Sequence, residues 1–224
     1  MKIVVLISAI AEWSAVKPLF PDAKIRHFPF GECFDILIQD EHISFFHSGW
    51  GKIASAGSMQ YVIDHYLPDL IVNLGTCGGF ENVVDQGDII LVDKAYVYDI
   101  VELMGDLDIV SYYASSLDLS WLAEPYPFPA RRGMIASADS DLPPEKIPLL
   151  KSQGAIAADW ESAALAWVAQ RNHTRLLILR GVSDMVTEEG GEAYNNIEMF
   201  NERARGIMQQ LIEQLPEWLN AVKL

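Results

Sequence analysis

The chain has 224 residues and a mass of 25.0 kDa; half of its residues are hydrophobic, 21% are charged, and the mean hydropathy is +0.14. That is apolar and long enough for a sizeable core, which excludes the disordered and fibrous classes. Sixteen basic against 31 acidic residues leave a net charge of −15, the wrong sign for gripping a nucleic-acid backbone or an anionic membrane. The same field works against holding a free phosphate unless a local arginine cluster corrects it.

Cys33 and Cys77 form neither a CxxC pair nor a disulfide framework. The histidines, His27, His42, His47, His65 and His173, lack metal-ligand spacing, so neither a metal nor a cofactor is expected. The N-terminal run Ile3-Val4-Val5-Leu6-Ile7 looks like a short secretory signal. Glu12 and Lys17 interrupt it, however, and no small-residue cleavage site closes it. No apolar stretch approaches the ~20 residues that span a bilayer, and the expectation is a soluble, cytoplasmic protein.

In chain order, residues 3–8 predict a strand buried on both faces, and residues 10–20 a helix stopped near Pro18 and Pro21. Residues 34–39 and 42–47 predict a hairpin turning at Gln39-Asp40-Glu41-His42, and Ser48-Gly49-Trp50-Gly51-Lys52 leads into a helix over 52–66. A buried strand over 70–74 is followed by a loop, Gly75 to Gly79, and then by strands over 88–93 and 95–100. Residues 101–130 lack periodicity and carry Pro125, Pro127 and Pro129, as a lid or partner-facing segment would. A strand over 132–137, a helix begun by Pro143-Pro144, a strand over 155–158, a helix over 159–171, a strand over 175–180 and a helix over 192–220 complete the reading. The alternation predicts one α/β domain over residues 1–224: three layers, α/β/α, around a central mixed twisted sheet.

In open α/β sheets ligands bind beyond the carboxyl ends of the strands. Four places put polar residues there: Glu12, Gly75-Thr76, Asp159-Trp160-Glu161 and Ser183-Asp184. Each has a plain structural alternative. Glu12 suits a helix N-terminus through the macrodipole. Gly75 to Gly79 suits a tight turn and matches neither GxGxxG nor a Walker loop. Asp159 suits an N-cap with Glu161 in the first turn, and Asp184 a turn. Their joint placement is what points to a site.

At these residues the chain resembles the nucleoside phosphorylase/nucleosidase superfamily, and within it the nucleosidases of 5′-methylthioadenosine and S-adenosylhomocysteine. Ser8-Ala9-Ile10-Ala11-Glu12 resembles the strand and first-helix Glu of that family, and Ser48 to Lys52 its SGxGK segment. Asn73 to Gly79 resembles its NxG[ST]xGG loop, Gln86-Gly87-Asp88-Ile89 its VGDI, and Ile135 to Asp139 its (I/V)xSGD element. Ala158 to Ala163 resembles VEMEA, and Arg180 to Asp184 resembles RxxSD. The resemblance implies a hydrolytic N-glycosidase of a purine nucleoside. Glu12 would be the general base on water, Thr76 its support, Glu161 the ribose ligand, and Asp184 the acid that protonates purine N7. Gly75 and Ser183 would also contact substrate.

Superfamily phosphorylases hold phosphate with arginines near the first helix and just before the glycine loop; here those places carry Glu12 and Asn73, so water is the expected nucleophile. Phosphorolysis, or a nucleosidase for another base, is the alternative. Three departures bear on substrate. Trp50 replaces a small aliphatic residue, Trp160 replaces the Met under the ribose, and Asp141 falls near the usual base-stacking Phe. A lost stacking ring is worth about 1–3 kcal/mol of base affinity, with Trp13 or Tyr98 as substitutes; for both indoles the alternative is core packing. The resemblance also implies a homodimer, with residues 96–116, including Tyr96, Tyr98, Tyr112 and Tyr113, as the candidate interface.

Overall fold

The first strand, β1 (Ile3–Ile7), sorts the core into two layers by its alternation. Ile3, Val5 and Ile7 cluster with one set of buried side chains and Val4 and Leu6 with another, as a strand covered on both faces requires. The computed structural model describes residues 1–39, 41–105 and 109–223.

After β1 come α1 (Ile10–Val16), β2 (Arg26–Phe28), β3 (Gly31–Ile38), β4 (Glu41–His47) and α2 (Gly51–Tyr66). Then follow β5 (Leu70–Phe80), β6 (Ile89–Val97), α3 (Ile109–Tyr112), β7 (Ala114–Ser116) and β8 (Arg131–Ser137). The last third holds α4 (Ile147–Ser152), β9 (Ala155–Asp159), α5 (Ser162–Arg171), β10 (Leu176–Thr187), β11 (Gly190–Gly191) and α6 (Ile197–Asn220). Trp13 and Val16 of α1 and the α6 stripe Ile207, Met208, Leu211, Leu215 and Trp218 fill one layer. That stripe has the spacing of one helix face. Met59 and Val62 of α2 and Ala163, Leu165 and Ala166 of α5 fill the other. Among the described residues no helix is long and apolar enough to cross a membrane.

The α/β layering and the mixed sheet are as the sequence predicts. The eleven described strands form one sheet in the order β11-β10-β6-β8-β9-β5-β1-β4-β3-β2, with β7 on β6. β1, β4 and β5 run parallel, whereas β10 runs parallel to β5 and antiparallel to β6. Because β10 pairs with both β5 and β6, the strands β5, β10, β6, β8 and β9 close into a ring at one end of the open sheet.

Several boundaries differ from the sequence expectation, each for a tertiary reason. The expected loop over 75–79 is strand, since β5 continues along β10 as far as Phe80↔Val186. The strands expected over 88–93 and 95–100 are one strand, β6, with a register shift between Val92 and Lys94. α5 starts at Ser162, whose N–H is taken by the Asp159 carboxylate at 3.2 Å. α6 starts at Ile197, capped by Asn196 Oδ1, which accepts from Met199 N at 3.3 Å. The hairpin is present, with β3 antiparallel to β4, although Asp40 of its turn lies outside the described residues. In the segment expected as a lid or partner-facing stretch, Leu119, Trp121 and Leu122 are buried against the α6 layer, because the chain there returns beneath α6 to a bridge with Val222. Residues 106–108 of that segment lie outside the described residues.

Among the described residues Trp218 is the largest fully buried side chain of the α6 layer, and its indole N–H has no acceptor. Trp218→Ala removes a whole ring from this layer and is expected to cost about 3–5 kcal/mol, read as a lower urea midpoint. Trp218→Phe, which keeps an apolar ring and deletes the unpaired N–H, is expected to lose clearly less; equal losses would contradict this packing account.

Candidate active site

The four sequence positions singled out meet at one cavity of about 510 Å³, lined by Glu12, Thr76, Asp159, Trp160, Glu161, Ser183 and Asp184 among others. α1 brings Glu12 in the turn after β1, β5 brings Thr76, the end of β9 brings Asp159 to Glu161, and β10 brings Ser183 and Asp184. A register shift between Val182 and Asp184 along β5 inserts one extra residue into β10, and both Ser183 and Asp184 reach the cavity there.

Glu12 is buried and fully held. Its Oε1 accepts from Thr76 N at 2.6 Å and Thr76 Oγ1 at 2.8 Å; its Oε2 accepts from Ala9 N at 3.1 Å, which also closes the N-terminus of α1. The helix-terminus alternative is therefore true of one oxygen, while the other points at Thr76. Burial raises the Glu12 carboxyl above its ordinary range, opposed first by the Arg180 guanidinium and then by the Thr76 and Ala9 donors.

Arg180, quoted in the sequence only as part of a motif, is the residue that the reading missed. Its side chain is 1% exposed in the middle of β10, Nε donates to Asp159 Oδ2 at 2.8 Å, and both Nη atoms lack an acceptor among the described residues. The signal was a lone cation in an apolar run. Gly75 is its register partner on β5, and a Cβ there would lie 2.4 Å from Nη1 and 2.9 Å from Glu12 Oε1. Gly75 therefore does not line the cavity; its missing side chain leaves room for the guanidinium to lie close to Glu12.

Asp159 accepts from Ser137 Oγ at 2.5 Å and from the Ser162 hydroxyl and N–H as well as from Arg180, so it both caps α5 and fixes the arginine. Two residues on, Glu161 Oε1 accepts from Gly51 N at 3.0 Å. Burial, with the Asp159 charge second, pushes Glu161 up to about 8. Asp184 Oδ1 accepts from Ser183 Oγ at 2.6 Å, and burial raises Asp184 against that hydrogen bond.

The Trp50 and Trp160 rings pack in a tilted pair at a centroid distance of 4.9 Å and an angle of 31°, both on the cavity wall. Trp50 is 60% exposed, so core packing does not account for it. Gly49 and Gly51, at φ +83° and +82°, set it between two left-handed residues. Asp141 is an exposed rim residue of the same cavity. Of the substitute rings, Tyr98 lines the cavity, but Trp13 faces away, donating to Glu32 at 2.7 Å and stacking on His47. Tyr194 and Phe200, which sequence reasoning did not single out, add rings beside Asp184 and Trp50. Of the expected interface tyrosines, Tyr96 is buried with its hydroxyl on Gln153 at 2.9 Å, Tyr98 is in the cavity, and Tyr112 is exposed.

Comparison with known proteins places the chain in a family. A family model described as the Phosphorylase superfamily matches residues 4–216. A 5′-methylthioadenosine/S-adenosylhomocysteine nucleosidase of Marinomonas is 23% identical over 95% of this chain and 99% of its own length. The like-named protein of Staphylococcus aureus is 26% identical over 80% and 83%. The structure of the Streptococcus pneumoniae MTA/SAH nucleosidase with 8-aminoadenine superposes with a TM-score of 0.79 at 21% identity, covering 99% of this chain and 100% of that one. With a match from the first strand to the last helix, and with its motif residues meeting at one cavity, the chain belongs to the phosphorylase superfamily.

Proposed function

We propose that the chain hydrolyses the N-glycosidic bond of a purine nucleoside of the 5′-methylthioadenosine or S-adenosylhomocysteine type, releasing the free base and the ribose derivative. The observation that carries this reading is a pair of buried carboxyl groups, Glu12 and Asp184, in one cavity with separate sets of partners. Ionised Glu12 takes a proton from water as the water oxygen bonds to C1′. The C1′–N9 bond breaks with its electrons going to the purine, and Asp184, protonated, gives its proton to N7. Glu161 and the Trp160 ring bind the sugar. Each acid–base group contributes about 10²–10⁴-fold, and splitting their protonation states is what lets two carboxyls take opposite roles.

Water is favoured over phosphate by the charges. No Lys or Arg lines the cavity among the described residues, whereas Glu12, Asp141, Asp159, Glu161 and Asp184 do. Arg180 lies behind them, bound to Asp159. A phosphate dianion would meet carboxylates and no basic side chain on the wall to grip it. We also infer a homodimer, for which the exposed Ile53, Val101, Leu103 and Met104 offer the apolar surface.

Adenine release from 5′-methylthioadenosine should proceed equally with and without phosphate. Glu12→Gln and Asp184→Asn should each reduce kcat by about 10²–10⁴-fold. Strict phosphate dependence with ribose 1-phosphate as product would overturn the hydrolytic reading, and full activity in both variants would overturn the mechanism.

Glu161 generates a second expectation. Its native carboxyl, at about 8 against an ordinary 4.5, keeps its proton where the unfolded chain has lost it. The native state thus binds more protons between those values, and stability falls as pH rises through that window. Thermal melts from pH 5 to pH 8 should show this decline, and Glu161→Gln should flatten it. An unchanged slope in the variant would show that Glu161 is not held neutral.

A further inference from the structure

Two motif residues have no part in the chemistry above: Lys52, which ends the Ser48–Lys52 segment, and Asp139, which ends the 135–139 element. Strands β6, β8 and β9 run parallel, with Val97 level with Ser137 and Ser137 level with Asp159. Two residues beyond these three partners stand Asp99, Asp139 and Glu161, so neighbouring strand ends deliver all three acids to one edge. The N-terminus of α2 sits on that edge. A helix start leaves its first N–H groups without intrahelical acceptors, and α2 has Trp50 as its N-cap and no acid in its first turn. The acceptors come from elsewhere in the chain. Glu161 Oε1 takes Gly51 N at 3.0 Å, and Asp139 Oδ1 takes Lys52 N at 2.7 Å. Asp99 Oδ2 in turn accepts from Asp139 N at 3.0 Å. The Lys52 ammonium is bound to Asp99 and lies 3.6 Å from Asp139 Oδ2. Gly51 leaves room for this, since a Cβ there would lie 2.8 Å from Asp139 Oδ1.

We infer that Asp139 is a positioning residue for the sugar end of the cavity. Clamped by Lys52 and Asp99, it fixes the first turn of α2, and with it the Gly51 N–H on Glu161 and the Trp50 indole on Trp160. The inference goes beyond the nucleosidase reading and rests on it only for what Glu161 binds. Asp139 is not on the cavity wall, so it acts through Gly51 and not on substrate. Gly51 N–H is the one hydrogen-bond donor to the Glu161 carboxyl among the described residues. Planar peptides join Gly51 to Lys52 and to Trp50, so a shift of the Lys52 N–H moves that donor and the indole together. A carboxylate at a helix N-terminus gains from the dipole as well as from the hydrogen bond. Asp99 and Asp139 would repel each other without a cation, and Lys52 supplies it.

The test uses the full chain, cleavage of 5′-methylthioadenosine, and the near-ultraviolet circular dichroism of the tilted indole pair. That signal is the difference between a protein and its Trp50→Phe counterpart. Asp139→Ala should raise KM roughly 3- to 10-fold, the scale of one lost hydrogen bond, with kcat little changed and most of the pair signal gone. Asp139→Asn keeps an acceptor for Lys52 N and should restore both towards wild type. Lys52→Met leaves two carboxylates unmatched and should raise KM roughly 2- to 5-fold, the scale of an exposed ion pair. Adding Asp99→Asn should recover part of that loss, which a merely structural lysine would not allow. Wild-type KM and an intact pair signal in Asp139→Ala overturn the inference. So does a deficit that falls on kcat alone, or one that Asp139→Asn does not relieve. If Asp139→Ala does not fold, the Lys52 variants decide, and an unchanged KM in Lys52→Met overturns the inference. Failure of the wild type to cleave 5′-methylthioadenosine overturns the nucleosidase reading instead, and the pair signal, which needs no substrate, then decides this inference alone.

Discussion

The buried guanidinium of Arg180 is the constraint around which the site is organised. A cation that is 1% exposed must be matched by nearby acceptors, since an uncompensated charge in the interior is strongly destabilising. Asp159 takes its Nε, and Glu12 and Glu161 lie within its field. Each of these acids comes from a different element, α1, β9 or the turn after β9. Their convergence on one cation ties together segments that the chain separates by more than a hundred residues. The β5–β10 register makes this possible by setting Gly75, which has no side chain, beside the guanidinium.

The same arrangement gives the acids, all raised by burial, different partners. Glu12 has three hydrogen-bond donors and the nearby cation to support its charge. Glu161 has one backbone donor and faces the Asp159 charge, so its neutral form is favoured up to about pH 8. Asp184 is held by Ser183 in the bulge of β10. Similar side chains thus acquire different chemistry from their surroundings, which is the general route by which carboxyl pairs divide acid and base roles.

The wall of the cavity is distinctive for its aromatic rim. Trp50 is fixed between two glycines with left-handed backbone, and Gly51 donates its N–H to Glu161. The position of an exposed indole is thereby linked to that of a buried acid. The indole rests on Trp160, the residue between Asp159 and Glu161. The shape of the cavity rim and its electrostatic centre are therefore set by neighbouring residues on the same two segments.

Local pattern was enough for the layering, because the continuous apolar run of residues 3–7 and the 3.6-residue stripe of α6 each reflect burial that any fold of this chain must satisfy. It was also enough to single out Glu12, Thr76, Glu161 and Asp184, polar residues placed just after apolar strands. Gly75 to Gly79 read as a loop because glycine breaks strands in isolation; only pairing with β10 makes it strand. The segment of Pro125, Pro127 and Pro129 read as a lid or partner-facing segment because local propensity cannot register that the chain returns beneath α6. What the sequence by itself determined was the fold class and the identity of the acids. What only the tertiary structure decided was which cation they surround, which donors hold each of them, and that Trp50 faces solvent: each depends on distances and burial across strands, to which residue order along one chain is blind.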